Sequence, residues 1–151
     1  MDAPGEAGIF AREAPTLDRT LQCGVAGSRL LSVSFPAEPD PSASGSHQIL
    51  DRISEYLQGA TDSFDDVTVG LTVPTDQRAV LEATRKIPYG ETASCEQLRS
   101  MAGLDEDETA TVHTALRSNP IPIVVPDHRV SDGPSAVPSA IERRLRALEG
   151  L

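Results

Sequence analysis

The sequence predicts an α+β protein: a small antiparallel sheet with one helix, followed by a helical half built around a helix-turn-helix. Two observations carry this prediction. Residues 1–73 alternate apolar and polar side chains with a period near two, interrupted by one amphipathic segment. Residues 74–151 hold four segments with helical spacing, set apart by Gly and Pro punctuation. The chain has no internal repeat, and its 151 residues suit one domain or two small lobes, divided here as 1–73 and 74–151. An apolar content of 38% suffices for a modest core without disulfide or metal staples.

Taken in order, "GIFARE" (8–13) reads as a first strand. "RTLQCGVAGSRLLSVSFP" (19–36) reads as a hairpin, two β-rich runs around Ala26-Gly27-Ser28. "EPDPSASGS" (38–46) is a Pro/Ser/Gly loop. In "SHQILDRISEYLQGA", Ile49, Ile53 and Leu57 fall on one helical face and Gly59 is the stop. "DDVTVGLTV" (65–73) has the alternation of a further strand. In the second half, "PTDQRAVLEATRKIPYGE" predicts a helix capped by Thr75, with Val80, Leu81 and Thr84 inward, ended by Ile87-Pro88-Tyr89-Gly90. "SCEQLRSMAG" opens on Ser94-x-x-Gln97, a capping-box pattern, and stops at Gly103. "DEDETATVHTALRSNP" predicts a third helix opened by Asp105 and closed by Asn119-Pro120. These two short helices with a glycine between them read as a helix-turn-helix. The last helix, "SAIERRLRALEG", sets Ile141, Leu145 and Leu148 on one face and Arg143, Arg144 and Arg146 on others.

Charge narrows the function classes. The net charge is −10, with twelve arginines and a single lysine, Lys86. An acidic, lysine-poor chain suits the cytoplasm of a salt-loving organism, where the Debye length is ~3 Å at molar salt; an ordinary acidic protein is the alternative. In either case no general affinity for nucleic acid is expected, since that needs a basic face. Cys23 and Cys95 have neither metal-site nor disulfide-framework spacing, so free thiols in a reducing compartment are expected. No apolar run approaches the ~20 residues of a membrane-spanning helix, and "MDAPGEAGIF" lacks the basic start of a signal peptide. The expectation is a cytoplasmic protein with no cofactor, no metal and no membrane partner. His47 and His113 lack sequence partners and read as surface residues.

The stretch "NPIPIVVPDHRV" (119–130) stands apart. It joins a helix-ending Asn-Pro, a short apolar run and a Pro-Asp-His-Arg turn. An ionised carboxylate avoids the end of a buried segment unless it is paired or solvated, so Asp127 either belongs to a site or has replaced something that did.

Read together, "RKIPYGETAS", a helix-turn-helix, "NPIPIVVPDHRV" and a final helix ending "LEG" resemble the C-terminal domain of the alkylguanine-DNA alkyltransferases, the methylated-DNA–protein-cysteine methyltransferases. The likeness covers Val73 to Gly150, and its motifs fall in the family's order at compatible spacings. It implies a winged-helix-like DNA-binding domain preceded by a ribonuclease H-like lobe, which the first 73 residues fit more loosely. Family members flip an alkylated guanine out of the duplex and move its alkyl group to the cysteine of Pro-Cys-His-Arg-Val. A thiolate is the nucleophile there, activated by a histidine with a buried glutamate behind it. By position, Asp127 stands at the acceptor cysteine, His128 at the base, Glu149 at its orienting carboxylate and Asn119 at the residue bracing the turn. Asp127 is also expected to feel the Glu149 charge through His128.

The same alignment gives Cys95, Glu96, Ala110, Thr111, Arg117 and Arg129 as DNA-contacting positions. Ala110 replaces an arginine that fills the gap left by the flipped base, and Cys95 replaces a tyrosine that presses on a phosphate. Arg129, a turn arginine, pairs more readily with a nearby carboxylate or carbonyl than with DNA, and the arginines of the last helix read as a solvated face. The "DEDE" start of the recognition helix would repel phosphates, and "RVSDGPSAVPSAIE" is shorter than the family's pocket loop. The resemblance therefore implies an alkyltransferase-like protein that binds double-stranded DNA with alkylated guanine and passes it to other repair proteins without alkyl transfer. Two alternatives stay open: a relic acting as a protein-interaction module, and an enzyme hydrolysing an Asp127 ester.

Overall fold

The computed structural model describes residues 7–44 and 47–151; Gly45 and Ser46 of the 38–46 loop lie outside the described residues. The architecture is α+β, and the chain divides into two compact units, residues 1–70 and 71–151.

In the first unit, β1 (Ala7–Ala14), β2 (Arg19–Ala26) and β3 (Arg29–Ser34) form an antiparallel sheet in the order β1-β2-β3. The hairpin turns at Gly27, whose φ of 62° is the left-handed conformation that a tight turn asks of glycine. Along β2, Leu21, Cys23 and Val25 point into the core, and Cys23 lies between Phe10 and Val33 in the ladder. A register irregularity falls at Gly24/Val25, where a β-carbon on Gly24 would lie 2.7 Å from the Ser32 hydroxyl. Helix α1 (Gln48–Leu57) buries Ile49, Leu50, Ile53, Tyr56 and Leu57 and packs on β1 and β2. His47 is no idle surface residue: its Nδ1 accepts the Ile49 N–H at 3.1 Å, capping α1, and its ring lies 4.8 Å from that of Phe10.

The strand expected over 65–73 does not form. Among the described residues, two backbone bonds join it to β3, Leu30 N–H to the Thr68 carbonyl and Gly70 N–H to the Leu30 carbonyl. Asp66 is drawn into an ion pair with Arg52, and Phe64 turns the chain with a φ of 55°. What remains is a short cover over the β3 edge, as Ser44 covers that of β1 through bonds to Ile9 and Ala11.

The second unit is helical: α2 (Thr75–Thr84), α3 (Cys95–Met101), α4 (Thr109–Arg117) and α5 (Ser139–Leu148). Helices α2, α3 and α4 pack on one another through Val80, Leu81, Leu98, Val112 and Leu116. The capping box at Ser94 and Gln97 forms in full, and Gly103 ends the turn after α3 with a φ of 74°. Two expected helix starts are displaced. Thr75 is the first helical residue of α2, with Pro74 before it and no side-chain cap. Helix α4 starts at Thr109 rather than Asp105, because Asp105–Glu108 close a turn of their own through the Glu108 N–H. The four carboxylates thus precede α4 and are not its first turn. On α5, Ile141 and Leu145 are buried, whereas Leu148 is only half-buried.

Candidate functional site

Between α4 and α5 the chain runs through ten consecutive buried residues, Ile121 to Val130. A buried irregular segment must find partners for its backbone. Four come from the segment itself: Val125 N–H to Ile121 O at 2.8 Å, Asp127 N–H to Val125 O at 2.9 Å, Arg129 N–H to Pro126 O at 3.0 Å and Val130 N–H to Asp127 O at 3.1 Å. Asn119 supplies more, since its Oδ1 accepts the Ile121 N–H and its Nδ2 donates to the Val125 carbonyl. Ile123 sits at a φ of 77°, a strained conformation for a β-branched residue, and these surrounding bonds hold it there. The run ends in a 3-10 turn over Asp127–Arg129, pinned to the segment before α3 by Ala93 N–H to Arg129 O and Ser131 N–H to Ala93 O.

This turn builds two adjacent clusters. In the first, Asp127 is fully buried. Its Oδ1 accepts the Ser135 hydroxyl at 2.6 Å, and its Oδ2 accepts Asn119 Nδ2 at 3.1 Å and the Ala136 N–H at 3.0 Å. Burial pushes its carboxyl above the ordinary carboxylate value, against the opposing pull of those three donors and of His128.

The second cluster gathers around Glu149. Glu149, just past α5, meets four donors: Gly90 N–H at 2.9 Å and Arg129 Nε at 2.8 Å on Oε1, His128 Nε2 at 2.7 Å and Arg129 Nη2 at 3.1 Å on Oε2. That is the pattern of an acceptor-only carboxylate held by a two-pronged guanidinium. Arg129 also donates Nη1 to the Ile87 carbonyl at 2.7 Å and lies over the Tyr89 ring, whose hydroxyl donates to the Leu148 carbonyl. Arg129 is therefore wholly engaged inside the protein.

The structure brings Asn119, Asp127, His128, Glu149 and Arg129 into this buried region. The remaining candidates lie elsewhere. Ala110 and Arg117 are exposed on α4, and Thr111 beside them is half-buried. Glu96 is exposed and paired with Arg99 at 2.6 Å. Cys95 is buried at the start of α3 and gives its backbone N–H to Asp132 Oδ1 at 2.7 Å; burial, then Asp132, push its thiol up to about 11. Sequence reasoning missed Ser135, Ala136 and Asp132, because it compared the length of the 131–139 segment with the family's and not its hydrogen-bonding groups. "SDGPS" carried the signal: three short polar side chains around a Gly-Pro are the composition of a segment that bonds to backbone and neighbours.

A helix-turn-helix beside a buried turn of this design, preceded by a sheet lobe, defines a protein of the DNA-repair alkyltransferase class. Residues 75–149 match the family described as "6-O-methylguanine DNA methyltransferase, DNA binding domain". The methylated-DNA–protein-cysteine methyltransferase of Methanopyrus kandleri is 34% identical, covering 80% of this chain and 95% of that one. Among solved structures, the O6-methylguanine methyltransferase of Mycobacterium tuberculosis superimposes with a TM-score of 0.76 at 28% identity, covering 95% of this chain and 93% of that one. The same organism's OGT in complex with DNA gives 0.73 at 27%, over 94% and 92%. The chain belongs to the methylated-DNA–protein-cysteine methyltransferase family.

Proposed function

We propose that this chain is an alkyltransferase-like DNA-repair protein: it binds double-stranded DNA carrying alkylated guanine and leaves the alkyl group in place, so that other repair proteins can act on the lesion. One observation carries the reading. By the resemblance Asp127 stands at the family's acceptor-cysteine position, and it is fully buried with both oxygens hydrogen-bonded, while Glu149 beside it binds His128 and Arg129. A carboxylate is a far weaker nucleophile than a thiolate toward an alkyl ether carbon. Neither cysteine stands in. Cys95 belongs to α3 and Cys23 to the sheet, both are buried, and burial pushes both thiols up to about 11, leaving little thiolate at neutral pH.

In this reading Asn119 braces the turn, and His128 and Glu149 are retained to orient it. DNA meets the helix-turn-helix at Glu96, Ala110, Thr111 and Arg117, with Cys95 offering position rather than a side-chain contact and Arg129 acting from within. A relative was solved in complex with DNA, which supports the partner. The test is a titration of two fluorescent duplexes, one with methylated guanine and one without, at salt concentrations up to molar. Tighter binding of the lesion duplex is expected.

A second reading has its own observation. By the resemblance Ala110 offers a methyl where the family has an arginine that fills the duplex, and Asp127 is sealed from solvent. Both suit a relic that has lost DNA binding and acts as a protein-interaction module. Absence of binding to either duplex at every salt concentration would favour it.

A further inference from the structure

The segment 131–138, between the 3-10 turn and α5, is fastened along its length. Asp132 Oδ1 accepts the Cys95 N–H at 2.7 Å, tying the segment's start to the first turn of α3. Gly133 then passes so close to the core that a β-carbon there would lie 2.8 Å from Leu116 Cδ1, 2.9 Å from Cys95 Sγ and 3.0 Å from Val130 Cγ1. Next, the Ser135 hydroxyl and the Ala136 N–H both donate to Asp127, and Val137 is buried beyond them. The Ser135 hydroxyl also accepts the Val137 N–H at 3.3 Å. Asp127 owes part of its burial to this cover.

The chemistry of residue 127 matters for the fastening. A carboxyl group has two oxygens, enough to accept from Ser135, Ala136 and Asn119 together. A thiol offers one weak acceptor. We propose that Asp127 is the anchor that shuts the 131–138 segment over the buried turn, and that Ser135 is the positioning residue through which it controls entry of a flipped base. The proposal rests on the reading of the site as a base-binding position. Entry requires Ser135 and Ala136 to leave Asp127 while Asp132 and Gly133 hold the segment's start, so the segment swings from the Gly133 end. Lesion affinity is then the intrinsic affinity reduced by the small open fraction.

The experiment uses the full chain as wild type, Ser135→Ala, Ser135→Thr and Asp127→Ala. Amide hydrogen exchange is followed over residues 132–137, and binding to methylated and unmethylated duplexes is measured on the same samples. Losing the hydrogen bond to Asp127 is expected to speed exchange about tenfold in Ser135→Ala. Ser135→Thr keeps the hydroxyl and restores slow exchange, and exchange in α3 and α4 stays unchanged. Lesion affinity rises by the same factor as the exchange in Ser135→Ala. Unchanged exchange in both Ser135→Ala and Asp127→Ala overturns the anchor. Faster exchange with lesion affinity left at the wild-type value overturns the gate. Faster exchange with no lesion binding by any of the four proteins upholds the anchor and instead defeats the base-binding reading.

Discussion

Glu149 accepts four hydrogen bonds on two oxygens, and Arg129 supplies two of them from a site only 4% exposed. Removing one partner of a buried ion pair leaves a charge without compensation, which costs about 3–5 kcal/mol. Glu149→Ala is expected to lower unfolding free energy in urea by about that much, and the loss should be smaller in Glu149→Gln, which keeps two acceptor positions. Asp127 behaves differently with pH. Its folded carboxyl is raised by burial, so it takes a proton more readily than in the unfolded chain. Its contribution to stability is complete below the ordinary carboxyl value of about 4 and is lost as pH rises through the folded value. Urea titrations across acid to neutral pH should therefore show wild type losing stability relative to Asp127→Asn as pH rises. A wild type that gained on Asp127→Asn with rising pH would mean that the three donors outweigh burial.

At the scale of elements, local chemistry decided what the sequence could disclose. The hairpin at Gly27, the face of α1 and the capping box at Ser94 were legible because short-range patterns set them. The last of these can be tested simply: Ser94→Ala should cost about 1 kcal/mol by chemical denaturation. The strand-like alternation of 65–73 misled because Arg52, on α1, claims Asp66 and Asp62. The start of α4 misled because four acidic residues can close a turn as readily as open a helix, and the Glu108 bond to Asp105 selects the turn. In the site, the roll of buried residues was legible through the motif, but the partners were not. Arg129 finds Glu149 across twenty residues and Asp127 finds Ser135 across eight, by packing and not by spacing. Gly133 is a further case: only the coordinates reveal that Cys95, Leu116 and Val130 close around it. Gly133→Ala should destabilise by about 1–3 kcal/mol through overpacking.

For the whole molecule, charge is the governing quantity. The net charge of −10 is unevenly held: residues 1–70 carry four arginines against eleven acidic residues. Exposed pairs such as Arg12–Asp51 offset little of this, since surface ion pairs contribute about 0–1 kcal/mol. We propose a protein adapted to high salt, whose self-repulsion is relieved by screening. Thermal unfolding followed in rising potassium chloride should show a midpoint that increases toward molar salt; a falling midpoint would mean that the ion pairs outweigh the repulsion. The same screening bears on DNA, where both the repulsion by Asp105–Glu108 and any attraction by Arg117 weaken together. The account as a whole stands on the fate of one methyl group. Incubating the full chain with a duplex bearing O6-methylguanine labelled in its methyl carbon, then following the label and the complex together, tests it most directly. The label is expected to remain in the DNA, with the protein's mass unchanged and the lesion duplex retained over its control. Label found on Cys95, Cys23 or Asp127, or released as methanol by wild type and not by Asp127→Ala, would contradict it.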